Sequence, residues 1–223
     1  SSDLLSAERD FDRLLARILL EAKRICNADA GTLYLRNGGF LEFAIVHTDS
    51  LGIALGGDSR SQIPFAPLPL YDVETGEPNF SNVAAHAALH GHSINLADVY
   101  AAEGFDFSGT KRYDRQHNYR SVSCLTVPLL DYSEDVIGVL QLLNAQDPAT
   151  GQIVPFDAYM QLVVESLASQ AAVALSNRLL LERQKEFVKV ERELEIGRQI
   201  QMDFLPSALP QLPGWEIAVR FRP

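Results

Sequence analysis

The chain has 223 residues, 47% hydrophobic and 22% charged, with a formal net charge of -10, a composition of soluble globular proteins that excludes a disordered tail or fibrous repeat. Acidic side chains outnumber basic ones 29 to 19, so the surface does not neutralise phosphates, and neither nucleic acid nor an anionic membrane is an expected partner. No run approaches the roughly 18 apolar residues of a membrane span, the opening SSDLLSAERD lacks a secretory pattern, and the cytoplasm is the expected compartment.

From Asp10, the residues Phe11, Leu14, Leu15, Ile18, Leu19, Ala22, Ile25 and Cys26 recur at three-and-four spacing, which predicts an amphipathic helix. Gly31 to Arg36 and Phe40 to Val46 flank Asn37-Gly38-Gly39, a strong hairpin signal that makes the first two strands antiparallel neighbours. Thr48 to Asn79 is punctuated by glycines and prolines and reads as a long ordered excursion, with Ile63 to Leu70 a candidate sheet edge. Asn82 to Leu89 predicts a short helix capped from Asn79 or Ser81 and stopped by Gly91. Ser93 to Leu96 is extended and Ala97 to Glu103 a further short helix. Phe105 to Tyr119 is rich in aromatics and charges but has no clean period.

Ser121 to Leu130 and Asp135 to Asn144 predict two strands joined by Asp131-Tyr132-Ser133-Glu134. Alternation puts Val122, Cys124, Thr126 and Pro128 on one face of the first, and Ile137, Val139, Gln141 and Leu143 on one face of the second. Both faces are largely apolar, so the sheet is expected to be covered on both sides. Cys26 and Cys124 sit among apolar residues and read as small core hydrophobes of a reducing compartment, not as a disulfide or metal ligands.

Pro155 suits a first helical position, Asp157 suits the first turn, and no proline follows until Pro206. This predicts a helix of about fifty residues from Phe156 to Leu205, about 75 Å long. Leu162 to Leu175 is apolar or small and must pack. Further on, Leu180, Phe187, Val190, Leu194 and Phe204 form a seam interrupted by Arg183, Gly197 and Gln201, a weak coiled coil whose simplest cover is the same helix from a second copy. A homodimer is the expected assembly. Pro206, Pro210, Pro213 and Gly214 then break the helix before Trp215 to Phe221 alternates like a strand. A start without Met and an end at Pro223 directly after that strand suggest a piece of a longer chain.

Two resemblances follow. The order helix, hairpin, irregular middle, hairpin, long helix, with Asn82-Val83-Ala84-Ala85, Asn95-Leu96-Ala97-Asp98, Gly104-Phe105-Asp106-Phe107, Asn118-Tyr119-Arg120-Ser121, Val127-Pro128-Leu129 and Val136-Ile137-Gly138-Val139, resembles a GAF domain over residues 10 to 176. It is most similar to GAF domains beside cyclic-nucleotide enzymes and bacterial signalling phosphatases. The resemblance implies an α+β fold, a central antiparallel sheet flanked by helices with a long C-terminal signalling helix. Glu193 to Pro206 followed by Leu209-Pro210 and Leu212-Pro213-Gly214-Trp215-Glu216-Ile217-Ala218 resembles the opening segment of SpoIIE-like metal-dependent serine/threonine protein phosphatases. Together they imply a sensory domain over 1–176, a coiled-coil linker over 177–205 and the start of a phosphatase domain over 206–223. The metal-binding aspartates of such a phosphatase, and the Mg or Mn they hold, belong after Pro223, and no cofactor is expected within the chain.

GAF domains bind small ligands between the sheet and the irregular segment over it. By that resemblance the candidate ligand residues are Phe105, Phe107, Ser108, Tyr113, His117 and Tyr119, facing Thr126 and Gln141. A purine or other planar ligand needs an aromatic face and a few fixed donors and acceptors; the alternative is that the aromatics fill the space themselves. Cyclic-nucleotide-binding members carry Asn-Lys and, downstream, Phe-x-x-x-Asp-Glu. Asn144 and Phe156 match, but Ala145 replaces the Lys and Met160-Gln161 the Asp-Glu, which weakens the case for a cyclic nucleotide. The paired loss is self-consistent, because a lone buried charge would be costly. His86, His90 and His92 have the spacing H-x-x-x-H-x-H, with Asp98 a possible fourth group, yet packing is the favoured reading and no metal is assigned. Leu55-Gly56-Gly57-Asp58 lacks the Gly-Lys-Ser/Thr of a phosphate loop and no nucleophile motif occurs, so no catalytic residue is expected. The expected role is a regulatory sensor controlling an attached phosphatase in bacterial signalling. A cyclic-nucleotide-binding domain and a ligand-free dimerisation scaffold are the alternatives.

Overall fold

A computed structural model describes residues 2–57, 61, 63–203 and 214. In chain order the elements are α1 (Ser2–Ile25), β1 (Ala28–Asn37), β2 (Phe40–Thr48), β3 (Ile53–Gly56), β4 (Leu68–Pro69), α2 (Val83–His90), β5 (Ile94–Leu96), α3 (Ser108–His117), β6 (Cys124–Leu130), β7 (Val136–Gln146), β8 (Ile153–Val154) and α4 (Ala158–Asp203). Residues 1–177 and 178–223 form two separate units.

Asn37 pairs with Phe40 across the Gly38-Gly39 turn, so the first hairpin forms where the sequence places it. The second closes over Asp131, whose Oδ1 accepts the N–H groups of Ser133 and Asp135 at 2.8 and 3.0 Å. The hairpins meet at β1 and β7, which pair antiparallel, and the sheet runs β3-β2-β1-β7-β6-β5 with β4 on β2 and β8 on β7. The Ile63 to Leu70 stretch thus supplies an edge strand, β4, as expected.

Both faces are covered. On one, Leu15, Ile18, Leu19, Ala22 and Cys26 of α1 pack with Leu33, Leu125, Leu140 and Leu142 of the sheet and with Val164, Ala168, Ala171 and Ala172 of α4. The buried stripe of α1 is narrower than the spacing suggests, since Leu14 and Ile25 are exposed. A Cβ on Gly31 would stand 2.8 Å from Leu19 Cδ1, so α1 seats on β1 this closely only because residue 31 has no side chain. On the other face, Ala84, Ala85 and Ala88 of α2 pack on Tyr34, Leu41, Leu70 and Val139.

Several local expectations are corrected. Asn82, not Asn79 or Ser81, caps α2, its Oδ1 accepting Ala85 N–H at 3.1 Å. Asn79 instead donates to Pro69 O, and Ser81 O accepts from Asp106 N–H. Gly91 ends the helix at φ 67 as expected. Ala97 to Glu103 is not a helix, because Asp98 Oδ1 accepts Tyr100 N–H at 2.8 Å and turns the chain there. The aperiodic stretch before Tyr119 does contain a helix, α3, whose one buried residue is Asp114; with no apolar stripe, it leaves no period to read. Pro155 precedes α4, and Asp157 caps it by accepting Met160 N–H at 2.7 Å. In β7, a register shift opposite Leu129 and Leu130 turns Ile137 onto the α1 and α4 face, leaving Val136 on the α2 face.

Cys26 and Cys124 are buried and unpaired. Burial is the main cause that pushes both thiols up to about 11, so neither is a thiolate at neutral pH. In α4, Leu180, Phe187, Val190 and Leu194 of the expected seam are 39%, 71%, 54% and 64% exposed. Phe204, and the expected strand Trp215 to Phe221, lie outside the described residues. Among the described residues no helix is long and apolar enough to cross a membrane.

Where α1 meets β2, Lys23, with its side chain 4% exposed, donates to His47 Nδ1 at 2.8 Å and pairs with Asp49 at 3.0 Å. Burial foremost, and the Lys23 charge next, hold the His47 pKa below its ordinary 6.5. The unfolded chain therefore takes up this proton at a higher pH than the folded one, and stability falls as pH drops through that range. Protonation costs Nδ1 its bond from Lys23. Thermal melts should show Tm falling between about pH 7 and pH 5, and His47→Asn should flatten that part of the profile; an unchanged slope would refute the assignment.

Candidate functional site

A cavity of about 450 Å³ lies between the α2 face of the sheet, the α2 and α3 helices, and the strap from Pro64 to Leu68, within the usual range for small-molecule sites. Its floor comes from the period-two alternation of the central strands, which turns Thr32 and Tyr34 of β1, Phe43 of β2, Cys124 of β6 and Gln141 of β7 the same way. Val83 of α2 and Phe107, Gly109 and Tyr113 around α3 form the walls. An aromatic row crosses from floor to strap to α3: Tyr34 to Phe43 at 4.8 Å between ring centroids, Phe43 to Phe65 at 5.3 Å, and Phe65 to Tyr113 at 6.4 Å. Such rows offer planar molecules a stacking surface.

Polar groups of the lining are positioned from behind. Gln141 Nε2 donates to Thr126 Oγ1 at 3.0 Å while its Oε1 accepts from the Tyr34 hydroxyl at 3.4 Å. The Tyr119 hydroxyl donates to Asp29 Oδ2 at 2.7 Å and accepts from Asn144 Nδ2 at 2.9 Å. Burial, then the Asp29 bond, raise its pKa, so it remains a neutral phenol. Asn144, with φ 57, also binds Arg120 O and Val122 N–H, both at 2.7 Å, and so holds the segment before β6. Asp114 anchors α3 to the same segment by accepting the Ser121 N–H at 2.8 Å, the Ser121 hydroxyl at 3.0 Å and the Tyr100 hydroxyl at 2.9 Å.

Of the residues singled out in the sequence, Phe107, Tyr113, Tyr119 and Gln141 line this cavity and the others do not. Phe105 packs on His86 at 5.3 Å, and the Ser108 hydroxyl is turned to Asp106. His117 is exposed, stacks on Tyr113 at 4.1 Å and donates to Tyr113 O. Thr126 is fully buried beneath Gln141. Tyr34, Phe43 and Phe65, which are not among the sequence candidates, also line the cavity. Tyr34 and Phe43 are register partners, and extending the hairpin pairing past Asn37 would have put both on one face.

His86 and His90 meet edge to face, with 4.4 Å between the imidazole centroids, and His90 stacks on Phe80 at 4.7 Å. Burial, then His90, lower the His86 pKa. Asp98 pairs instead with Arg120 at 3.6 Å, and among the described residues no three metal-binding side chains converge. Ala145 and Phe156 are buried in the core with Met160 against them, and Gln161 Oε1 accepts from Asn95 Nδ2 at 3.1 Å. Positions 145 and 160 are thus filled by apolar packing, and position 161 by a neutral hydrogen-bonded side chain.

The family model described as GAF domain matches residues 10–175. Over 121 residues, 54% of this chain, the chain is 30% identical to the dual 3',5'-cyclic-AMP and -GMP phosphodiesterase 11 of Drosophila melanogaster, of which it spans 8%. It is 22% identical over 199 residues to phosphodiesterase 11A of Takifugu rubripes, covering 86% of this chain and 20% of that one. Among solved structures, the GAF domain/HD domain protein from Geobacter sulfurreducens superposes with a TM-score of 0.54 at 15% identity, over 79% of this chain and 98% of that one. That likeness speaks for the fold, and the family match covers the sheet, its flanking helices and the cavity between them: the chain belongs to the GAF domain family.

Proposed function

We infer that residues 10–175 form a regulatory sensor whose ligand is a purine-sized planar molecule held in the cavity over the sheet. The carrying observation is the 450 Å³ cavity crossed by the Tyr34, Phe43, Phe65 and Tyr113 rings. Domains of this family regulate rather than catalyse, and no nucleophile or phosphate loop in the sequence argues otherwise. The signal passes along α4 by population shift: a ligand that binds one packing of the helix more tightly than another favours that packing. The exposed seam through Leu180, Phe187, Val190 and Leu194 is the proposed dimer contact of a cytoplasmic protein. The controlled domain is proposed to be the SpoIIE-like phosphatase that residues 193–218 resemble, which would bring its own Mg or Mn.

A cyclic nucleotide is the second reading, favoured by the 30% identity to a cyclic-nucleotide phosphodiesterase. The test is a melt of the chain with adenosine, guanosine, cyclic AMP and cyclic GMP, beside native mass spectrometry of freshly purified protein. Ligand at a hundred times Kd stabilises by about 2.7 kcal/mol, which should raise Tm by about 5–10 °C. Val83→Trp, filling the cavity from α2, should remove the shift. If no purine shifts the melt and no small molecule is retained, the ligand-free scaffold replaces the sensor; unchanged Phe187→Cys crosslinking with and without a bound ligand would sink transmission through α4.

A further inference from the structure

Three rings surround the His86 side chain of α2. The imidazole meets His90 at 4.4 Å between centroids, Phe105 at 5.3 Å and Phe80 at 5.5 Å, each edge to face, and its Nδ1 is buried with no hydrogen-bond partner. A neutral imidazole can leave only a lone pair at that atom, whereas an imidazolium must put an N–H and a charge there, and a buried charge without a partner is expensive. The surroundings offer no counter-charge. On α2 the ionisable neighbour is His90, and β6 and β7, which lie beneath the helix, carry no charged side chain. Tyr34 of β1 is a neutral phenol whose pKa burial pushes up. Ahead of α3, Glu103 is exposed and Asp106 turns both carboxylate oxygens to Ser108. Burial foremost, and His90 next, hold the His86 pKa below its ordinary 6.5.

What His86 holds is a lightly attached piece of chain. Among the described residues, the one backbone hydrogen bond of residues 102–106 runs from Asp106 N–H to Ser81 O at 2.7 Å, so the ring contact of Phe105 with His86 carries much of the docking. Gly104, at φ 86 with nothing within 4 Å of a Cβ, leaves the segment free to swing. Phe105 in turn lies 6.0 Å from Phe107, which stands at the start of α3 and forms part of the cavity wall.

We propose that His86 is an acid-released latch: its neutral ring holds residues 102–107 against α2, and its protonation frees Phe105 and opens the cavity wall at Phe107. The use of this latch as regulation rests on the sensor reading above; the opening itself does not. The sign follows from the imidazole alone. A latched state that refuses the proton is favoured above the ordinary histidine range and loses that advantage as pH falls through it.

The test is hydrogen exchange of the whole chain between about pH 7.5 and pH 5.5, expressed as opening constants with the chemical exchange rate removed, in a His47→Asn background that silences the other titrating histidine. An open-state imidazole takes its proton at about pH 6.5, so the opening constant of residues 102–107 should rise by up to about tenfold at pH 5.5, while β1 and β7 stay protected. His86→Phe keeps a ring in place and cannot be protonated, and it should abolish the rise. His90→Gln removes the neighbouring charge and should move the midpoint to higher pH, which keeps the test alive if His86→Phe fails to fold. Opening constants of residues 102–107 that do not change with pH, a rise that persists in His86→Phe, a midpoint indifferent to His90→Gln, or a loss of protection spread evenly over β1 and β7 overturns the latch. No ligand is present, so that failure leaves the sensor reading standing, whereas a sensor reading lost to the purine melts leaves the latch intact.

Discussion

Asn144→Asp should destabilise the domain by about 3 kcal/mol at pH 7, an effect far beyond the size of the change. Asparagine and aspartate share a shape, and both tolerate the left-handed backbone found here at φ 57. What changes is hydrogen-bond polarity at a site only 2% exposed. Oδ1 would still accept from Val122 N–H, but an oxygen would replace Nδ2, which donates to Arg120 O at 2.7 Å and to the Tyr119 hydroxyl at 2.9 Å. Two oxygens would then face each other where a bond stood. The new carboxyl escapes in part by protonating, so its folded pKa would lie above the ordinary value of about 3.9. A raised folded pKa means the folded state binds the extra proton, so the deficit relative to the unaltered chain should shrink as pH falls and be largest above that pKa. Urea unfolding at pH 7 and pH 5 measures this. A deficit under about 1 kcal/mol, or one that grows toward acid, contradicts the assignment.

Asp114→Ala should cost about 3 kcal/mol for a related reason. The carboxylate is 2% exposed and is the buried residue of α3. Its removal strands the buried Ser121 N–H and hydroxyl, which it accepts from at 2.8 and 3.0 Å, and releases the half-buried Tyr100 hydroxyl held at 2.9 Å; buried orphans of this kind are expensive. Hydrogen exchange should localise the damage: α3 amides should lose protection well before the paired strands β1 and β7, because α3 has no apolar stripe to hold it once this anchor is gone. Asp114→Asn keeps one acceptor and should cost about half as much. If denaturant midpoints barely move for Asp114→Ala, or exchange rises uniformly, Asp114 is not the anchor.

These residues also separate what the sequence discloses from what it conceals. The α1 stripe, the Gly38-Gly39 hairpin and the β6–β7 hairpin were legible because each is local, a period or turn within a few residues. The α3 helix was not, because its stability comes from Asp114 reaching Ser121 and Tyr100 rather than from its own pattern. The turn at Asp98 is set by a side chain bonding its own backbone, and the reversal of Ile137 by a register shift against β6, which alternation within one strand does not reveal. At the site, Tyr113 and Phe107 stood out as aromatics above the sheet, whereas Phe65 enters from a strap whose path is decided by β4 pairing with β2.

By itself the sequence determined the fold class, the antiparallel hairpins, two buried thiols, a long C-terminal helix, and the absence of the charged pair at Ala145 and Met160. Each is written in periodicity, composition or a matched motif. Only the tertiary structure decided which side chains share the cavity. It joins Tyr34 to Tyr113 through Phe43 and Phe65, places Thr126 beneath Gln141, and turns Asp106 onto the first turn of α3. Those relations join separate strands, strap and helix, and packing free energy sets them where no local propensity can.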